Sequence, residues 1–139
     1  MNTVIVGVDG SQTSKVALRW GRVLADALGA ELEAITAWEF PVIVTMAGGG
    51  VLPGTWVPED DAREVLRKTI DEVAPGARAL VVEGHPANVL IEASDRAEMI
   101  VIGTRGLGGF RGALLGSVSS AVSQHAKCPV LVVPHAEDQ

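Results

Sequence analysis

The chain has 139 residues, with 17 Asp and Glu against 11 Lys and Arg for a formal charge of −6, 47% hydrophobic residues and a single cysteine. One domain over residues 1–139 is expected, long enough to bury a core without cross-links and too apolar to stay disordered. Cys128 alone excludes an internal disulfide and a multi-thiolate zinc site, and the acidic balance excludes nucleic acid as a main partner, because phosphate backbones need a clustered basic face. No apolar run approaches the roughly 18 residues of a membrane span. Met1-Asn2-Thr3 leads straight into Val4-Ile5-Val6 without a basic leader, so a cytoplasmic setting is expected.

Val4-Ile5-Val6-Gly7-Val8 is short and β-branched, and it ends in Asp9-Gly10-Ser11, the pattern of a buried strand running into a turn. From Thr13 the period becomes helical: Val16, Ala17, Trp20, Val23, Leu24, Ala27 and Leu28 recur on one stripe and Gly29 stops them, so Trp20 is assigned to the core. Leu32 to Ala37 is a second strand. Residues 38–58 carry Pro41, Gly48-Gly49-Gly50, Pro53-Gly54 and Pro58 and form a long irregular loop. A helix follows over Glu59–Val73, with three acids in its first turn and Val65, Leu66, Ile70 and Val73 on one face. Ala79 to Glu83 is the third strand, Gly84-His85-Pro86 a turn, Ala87–Ala97 a helix and Met99 to Ile102 the fourth strand. Ser117–Ala126 is a helix, Val130 to Val133 the fifth strand, and His135 to Gln139 a frayed tail.

Strands alternating with helices predict an α/β fold: a single open, doubly wound domain with a five-stranded parallel sheet and helices on both faces. Ligands in such sheets bind beyond the carboxyl ends of the strands, where the strand order reverses. Six of the 16 glycines lie between Gly103 and Gly116, directly after the fourth strand. Gly103-Thr104-Arg105-Gly106, nine residues, then Gly116-Ser117 is not a P-loop, since no Lys precedes Ser117, and it is not G-x-G-x-x-G, since Arg111 occupies the last position. It still has the makings of a phosphate cradle: Gly103 and Gly106 for positive φ and close backbone approach, and Gly116-Ser117 at a helix N-terminus whose free N–H groups attract an anion. The competing reading is a simple turn with Ser117 as helix cap.

The G-x2-G-x9-G-[ST] spacing after Ile100-Val101-Ile102, continued by Val118-Ser119 and closed by Pro129-Val130-Leu131-Val132-Val133-Pro134, resembles the ATP-binding branch of the universal stress protein family. The likeness extends to the opening Val4 to Ser11 and the Gly84-His85-Pro86 turn, and so spans essentially the whole chain. It implies a Rossmann-like fold of the adenine nucleotide alpha-hydrolase type, with ATP across the carboxyl edge of the sheet. By position it implies that Gly103, Gly106, Gly116 and Ser117, with Val118 and Ser119, hold ribose and phosphates. Ala37 would meet adenine through its backbone, and Gly84 would border the ribose. Asp9 would contact ribose or a phosphate-bound Mg2+ or Mn2+, the only metal role assigned. It also implies a homodimer through Val130, Leu131, Val132 and Val133, an apolar edge that invites pairing.

Asp9 has a plainer reading as an Asx-turn or cap, and Arg105, placed ahead of Arg111 as a phosphate partner, has one as a solvated side chain. His85 fits a turn better than a catalytic base, and Cys128 a small buried hydrophobe better than a nucleophile. Leu107, Phe110, Leu114 and Leu115 pack the glycine loop, and packing is the default role of Trp38 and Trp56. No general base and no Lys over a γ-phosphate is evident, so no catalytic residue is assigned. The reading is an ATP-binding regulatory stress-response module with at most slow hydrolysis and a protein partner. A metal-dependent ATPase and a ligand-free interaction module are the alternatives.

Overall fold

The computed structural model describes residues 2–39, 58–104 and 116–134. The chain begins with strand β1, Thr3–Gly7, whose central Val4, Ile5 and Val6 have no exposed surface. Helix α1, Gln12–Leu28, starts at Ser11, whose side chain accepts from Ser14 N, and stops at Gly29, which takes the left-handed φ of 64° that favours glycine. Strand β2, Glu31–Trp38, and helix α2, Pro58–Val73, follow, so Trp38 and Pro58, expected to bound a loop, belong to regular elements. The rest of that loop, 40–57, lies outside the described residues, as does the tail. Strand β3, Arg78–Glu83, leads through Gly84 into helix α3, Pro86–Ala93, which a 3-10 turn, Ser94–Arg96, extends. The single helix expected over Ala87–Ala97 is thus split in two. Strand β4, Met99–Gly103, helix α4, Ser117–His125, and strand β5, Val130–Val133, complete the described chain.

All five strands are parallel, in the order β3-β2-β1-β4-β5. The chain winds outward from β1 through β2 to β3, then crosses to the other side for β4 and β5, so the order reverses between β1 and β4. Alternate side chains of β1 enter two separate cores. Val4 and Val6 pack under α1 and α2 with Leu18, Leu32, Leu66 and Ile70, while Ile5 packs under α3 and α4 with Ile35, Leu90, Ile100 and Val122. Each fully buried aliphatic contributes about 1.5–3 kcal/mol against leaving it in water.

Two assignments of helix face are corrected. Trp20 and Val23 are 49% and 54% exposed, and the side of α1 that meets the sheet carries Ala17, Leu18, Gly21 and Ala25 with Thr13 and Ser14. The helix lies so close to β1 that a Cβ on Gly21 would stand 2.5 Å from Val6 Cγ2, leaving room for small residues only. On α2, Leu66 and Ile70 are buried while Val65 is turned outward. Strand β3 is also more open than a strand covered on both faces: Arg78, Ala79 and Leu80 are exposed, as befits the edge of the sheet. Among the described residues no helix is long and apolar enough to cross a membrane.

Candidate functional site

The parallel register brings several of the sequence-predicted residues to one rim. β1 pairs with β4 through Val6 and Val101, which sets Gly103 level with Val8, one residue before Asp9. On the other flank Val8 N donates to Ile35 O at 2.9 Å and the Thr36 hydroxyl donates to Val8 O at 2.8 Å, fastening the exit of β1 to the end of β2. Ala37 stands beside Val82 in the β2–β3 ladder, and Gly84 N donates to Trp38 O at 2.8 Å, so Ala37 and Gly84 sit together at the carboxyl end of β2 and β3. Gly84 has φ of 143°, and a Cβ there would also stand 3.1 Å from Val89 Cγ2, so both backbone and space call for glycine.

Asp9 is exposed, and its Oδ1 accepts from Ser11 N at 2.9 Å, which is the Asx-turn of its plainer reading. The turn sets Ser11 as the cap of α1: Ser11 Oγ accepts from Ser14 N at 3.1 Å, while Ser14 Oγ donates back to Ser11 O at 2.9 Å. The buried Ser14 had no motif to mark it, because its role is local hydrogen bonding. His85 also caps a helix, with Nδ1 accepting from Ala87 N at 3.2 Å, in agreement with a turn residue.

Helix α4 is capped differently. Its N-cap is Gly116, which has no side chain to offer to the first-turn N–H groups, and the backbone there is extended at φ −77° and ψ 173°. Neither Gly103 nor Gly116 has positive φ, which corrects the conformational reason given for Gly103. Ser117 is exposed at the first helical position, with Val118 half-buried behind it. Ser119 is 2% exposed, and its Oγ is engaged twice, donating to Thr104 O at 2.6 Å and accepting from Gly116 N at 3.0 Å. Thr104 O also accepts from Gly116 N at 2.6 Å, and Thr104 N donates to Val133 O at 2.8 Å. Thr104 is a key residue of this rim that sequence reasoning passed over, since it acts through a backbone carbonyl that every residue type shares. Arg105, Gly106, Arg111, the apolar residues of the glycine loop and Trp56 lie outside the described residues.

Other titratable groups have structural explanations. Burial pushes the Cys128 thiol up, opposed in part by a hydrogen bond with the Ile100 backbone. The Glu33 carboxylate holds the Arg96 guanidinium above its ordinary value through their hydrogen bonds. Among the described residues, no three His, Cys, Asp or Glu side chains are grouped to hold a metal. A divalent ion at this rim would therefore need ligands besides Asp9, of the kind phosphate oxygens supply.

A family model described as the universal stress protein family matches residues 1–134. Universal stress protein Rv2623 of Mycobacterium tuberculosis is 36% identical over 93% of this chain, and a universal stress protein of Mycolicibacterium smegmatis is 34% identical over 94%. The chain spans only 44% and 45% of those two relatives, about half their length. Among solved structures, a universal stress protein in complex with cAMP is 30% identical, with a TM-score of 0.71 and coverage of 95% of this chain and 96% of that one. UspA of Lactobacillus plantarum, 21% identical with a TM-score of 0.76 over 95% of this chain and 97% of its own, shares the fold. The parallel five-stranded sheet, its strand order and the match along nearly the whole sequence place this chain in the universal stress protein family.

Proposed function

We propose that the chain is a nucleotide-dependent regulatory module that holds ATP across the carboxyl edge of its sheet. The observation that carries this reading is the N-terminus of α4. It opens at the reversal of strand order with a glycine as cap, so N–H groups of Ser117, Val118 and Ser119 and the helix dipole are left for an anion. The 30% identical relative solved with cAMP supports an adenine nucleotide as the class of ligand.

In this reading Gly103, Gly116, Ser117 and Val118, with Gly106 and Arg105, surround ribose and phosphates, and Gly84 borders the ribose. Ala37 meets adenine through its backbone. Asp9 keeps its turn and offers its carboxylate to the ribose or to Mg2+ or Mn2+ carried by the phosphates. Such an ion would offset the repulsion between Asp9 and a triphosphate. Turnover of ATP is slow, and the bound nucleotide changes a surface that a protein partner reads in the cytoplasm. A second copy docks along Val130, Leu131, Val132 and Val133.

Denaturing the purified protein and chromatographing the released small molecules tests the reading. Near-stoichiometric ATP is the expected result. Absence of any nucleotide, together with no binding heat and no thermal shift on adding ATP, would overturn it. Gly116→Val is the matched variant. Its extended backbone accepts any residue, so valine should keep the fold and fill the cradle, abolishing ATP binding; unchanged affinity would place the phosphates elsewhere.

A further inference from the structure

We infer that the Ser119 hydroxyl is a positioning group that sets the preference of the site for phosphate-bearing nucleotides over bare nucleosides, rather than a group that touches the ligand; the inference rests on the nucleotide-binding reading above. The resemblance implied that Ser119 holds ribose or phosphates. Its hydroxyl has one proton, and that proton goes to Thr104 O at 2.6 Å, with Gly116 O farther off at 3.2 Å. Its oxygen accepts from Gly116 N at 3.0 Å. With the side chain 2% exposed and its one proton committed inside the protein, the hydroxyl is not available to donate to a phosphate.

What these bonds accomplish is mechanical. Thr104 is the first residue after β4, and its N–H is held by Val133 O at the end of β5. Its carbonyl gathers two donors, Gly116 N and Ser119 Oγ, from the first turn of α4. The start of α4 is thereby fastened to the rim of the sheet at two points three positions apart, in the cap and first turn. A single bond would leave the helix free to swing about it; two fix the direction in which its unpaired N–H groups aim. Fixed dipoles stabilise an anion without the cost of reorienting them on binding, so the clamp acts on the phosphate end of a nucleotide. The base and ribose, expected at Ala37 and Gly84 on the far side of β1, do not depend on it.

Isothermal titration of ATP and of adenosine into wild type, Ser119→Ala and Ser119→Thr tests the inference. Ser119→Ala should lose about tenfold or more in ATP affinity, corresponding to one or two hydrogen bonds, with adenosine affinity kept within about twofold. Ser119→Thr, which restores the hydroxyl, should recover the ATP preference. A loss equal for both ligands, or no loss for either, would overturn the inference. If wild type itself binds neither, it is the nucleotide reading that fails. Amide exchange of the free wild-type protein covers the case in which the alanine variant does not fold. Gly116 N–H should be protected in the free state and Ser117 and Val118 N–H only once ATP is added. Equal, rapid exchange of Gly116 and Ser117 without ligand would also overturn the clamp.

Discussion

Glu33 lies in the middle of β2 with 2% of its surface exposed, and Arg96 makes that location tolerable. The guanidinium forks onto the carboxylate, Nη1 to Oε1 at 3.2 Å and Nη2 to Oε2 at 2.5 Å, while its own side chain stays 47% exposed. Removing the cation strands a buried charge, so Arg96→Ala should destabilise by about 2–3 kcal/mol, the range for a broken buried pair lowered for the half-solvated partner. Urea denaturation measures it, and Glu33→Leu on the Arg96→Ala background should restore much of the loss. Cys128 gives a pH-dependent counterpart. A thiol pushed up by burial carries less thiolate at pH 8 than a free cysteine, so iodoacetamide should label it at least about tenfold more slowly than in the urea-unfolded chain. At this scale the sequence was read well where a side chain acts in its own turn, as with His85, and the turn formed by Asp9 is the plainer of its two readings, beside the ligand role proposed for it. It was silent on the Glu33–Arg96 pair, because those residues are distant in the chain and meet only through sheet packing.

Among the elements, α1 shows how periodicity can mislead. Large apolar residues at helical spacing, Trp20 and Val23 among them, pointed to one stripe, but the helix presses an adjacent, smaller-residue stripe against β1. Gly21→Ala decides which effect rules there. Alanine gains about 1 kcal/mol of helix propensity, yet its methyl would stand 2.5 Å from Val6 Cγ2 and 3.0 Å from Leu32 Cδ1, neither of which can swing away cheaply. We expect a net loss of about 1–3 kcal/mol by thermal unfolding, with the overpacking larger than the propensity gain. Boundaries were legible where their chemistry is local: Gly29 ends α1, and the three acids Glu59, Asp60 and Asp61 open α2. The break between α3 and the 3-10 turn was not, since Ala93 and Ser94 carry no stop signal and the Ser94 hydroxyl bonds Ile91 O locally while accepting Lys127 N from across the fold.

The architecture of the whole molecule was legible because alternation of short apolar runs with helical patterns has few solutions, and a parallel sheet covered on both sides is the one that buries them. The rim could be located from the same rule, since ligands gather where strand order reverses. What lay beyond reach was the internal wiring of that rim through Thr104, which depends on carbonyl positions rather than residue types. For assembly, sedimentation at micromolar concentration should give twice the chain mass of 14.4 kDa if β5 pairs with a second copy; a monomer mass would exclude that pairing.

The two margins of the sheet are chemically unlike. β5 presents an unbroken Val-Leu-Val-Val run, whereas exposed β3 is bracketed by Arg78 at one end and Glu83 at the other. Charged residues at the ends of an edge strand discourage another backbone from settling along it. A sheet able to recruit at both margins would add copies without limit and build a filament. If a second copy pairs along β5, as proposed, that margin is used up in the first encounter, and the asymmetry between β3 and β5 would then cap growth at a closed, two-fold pair.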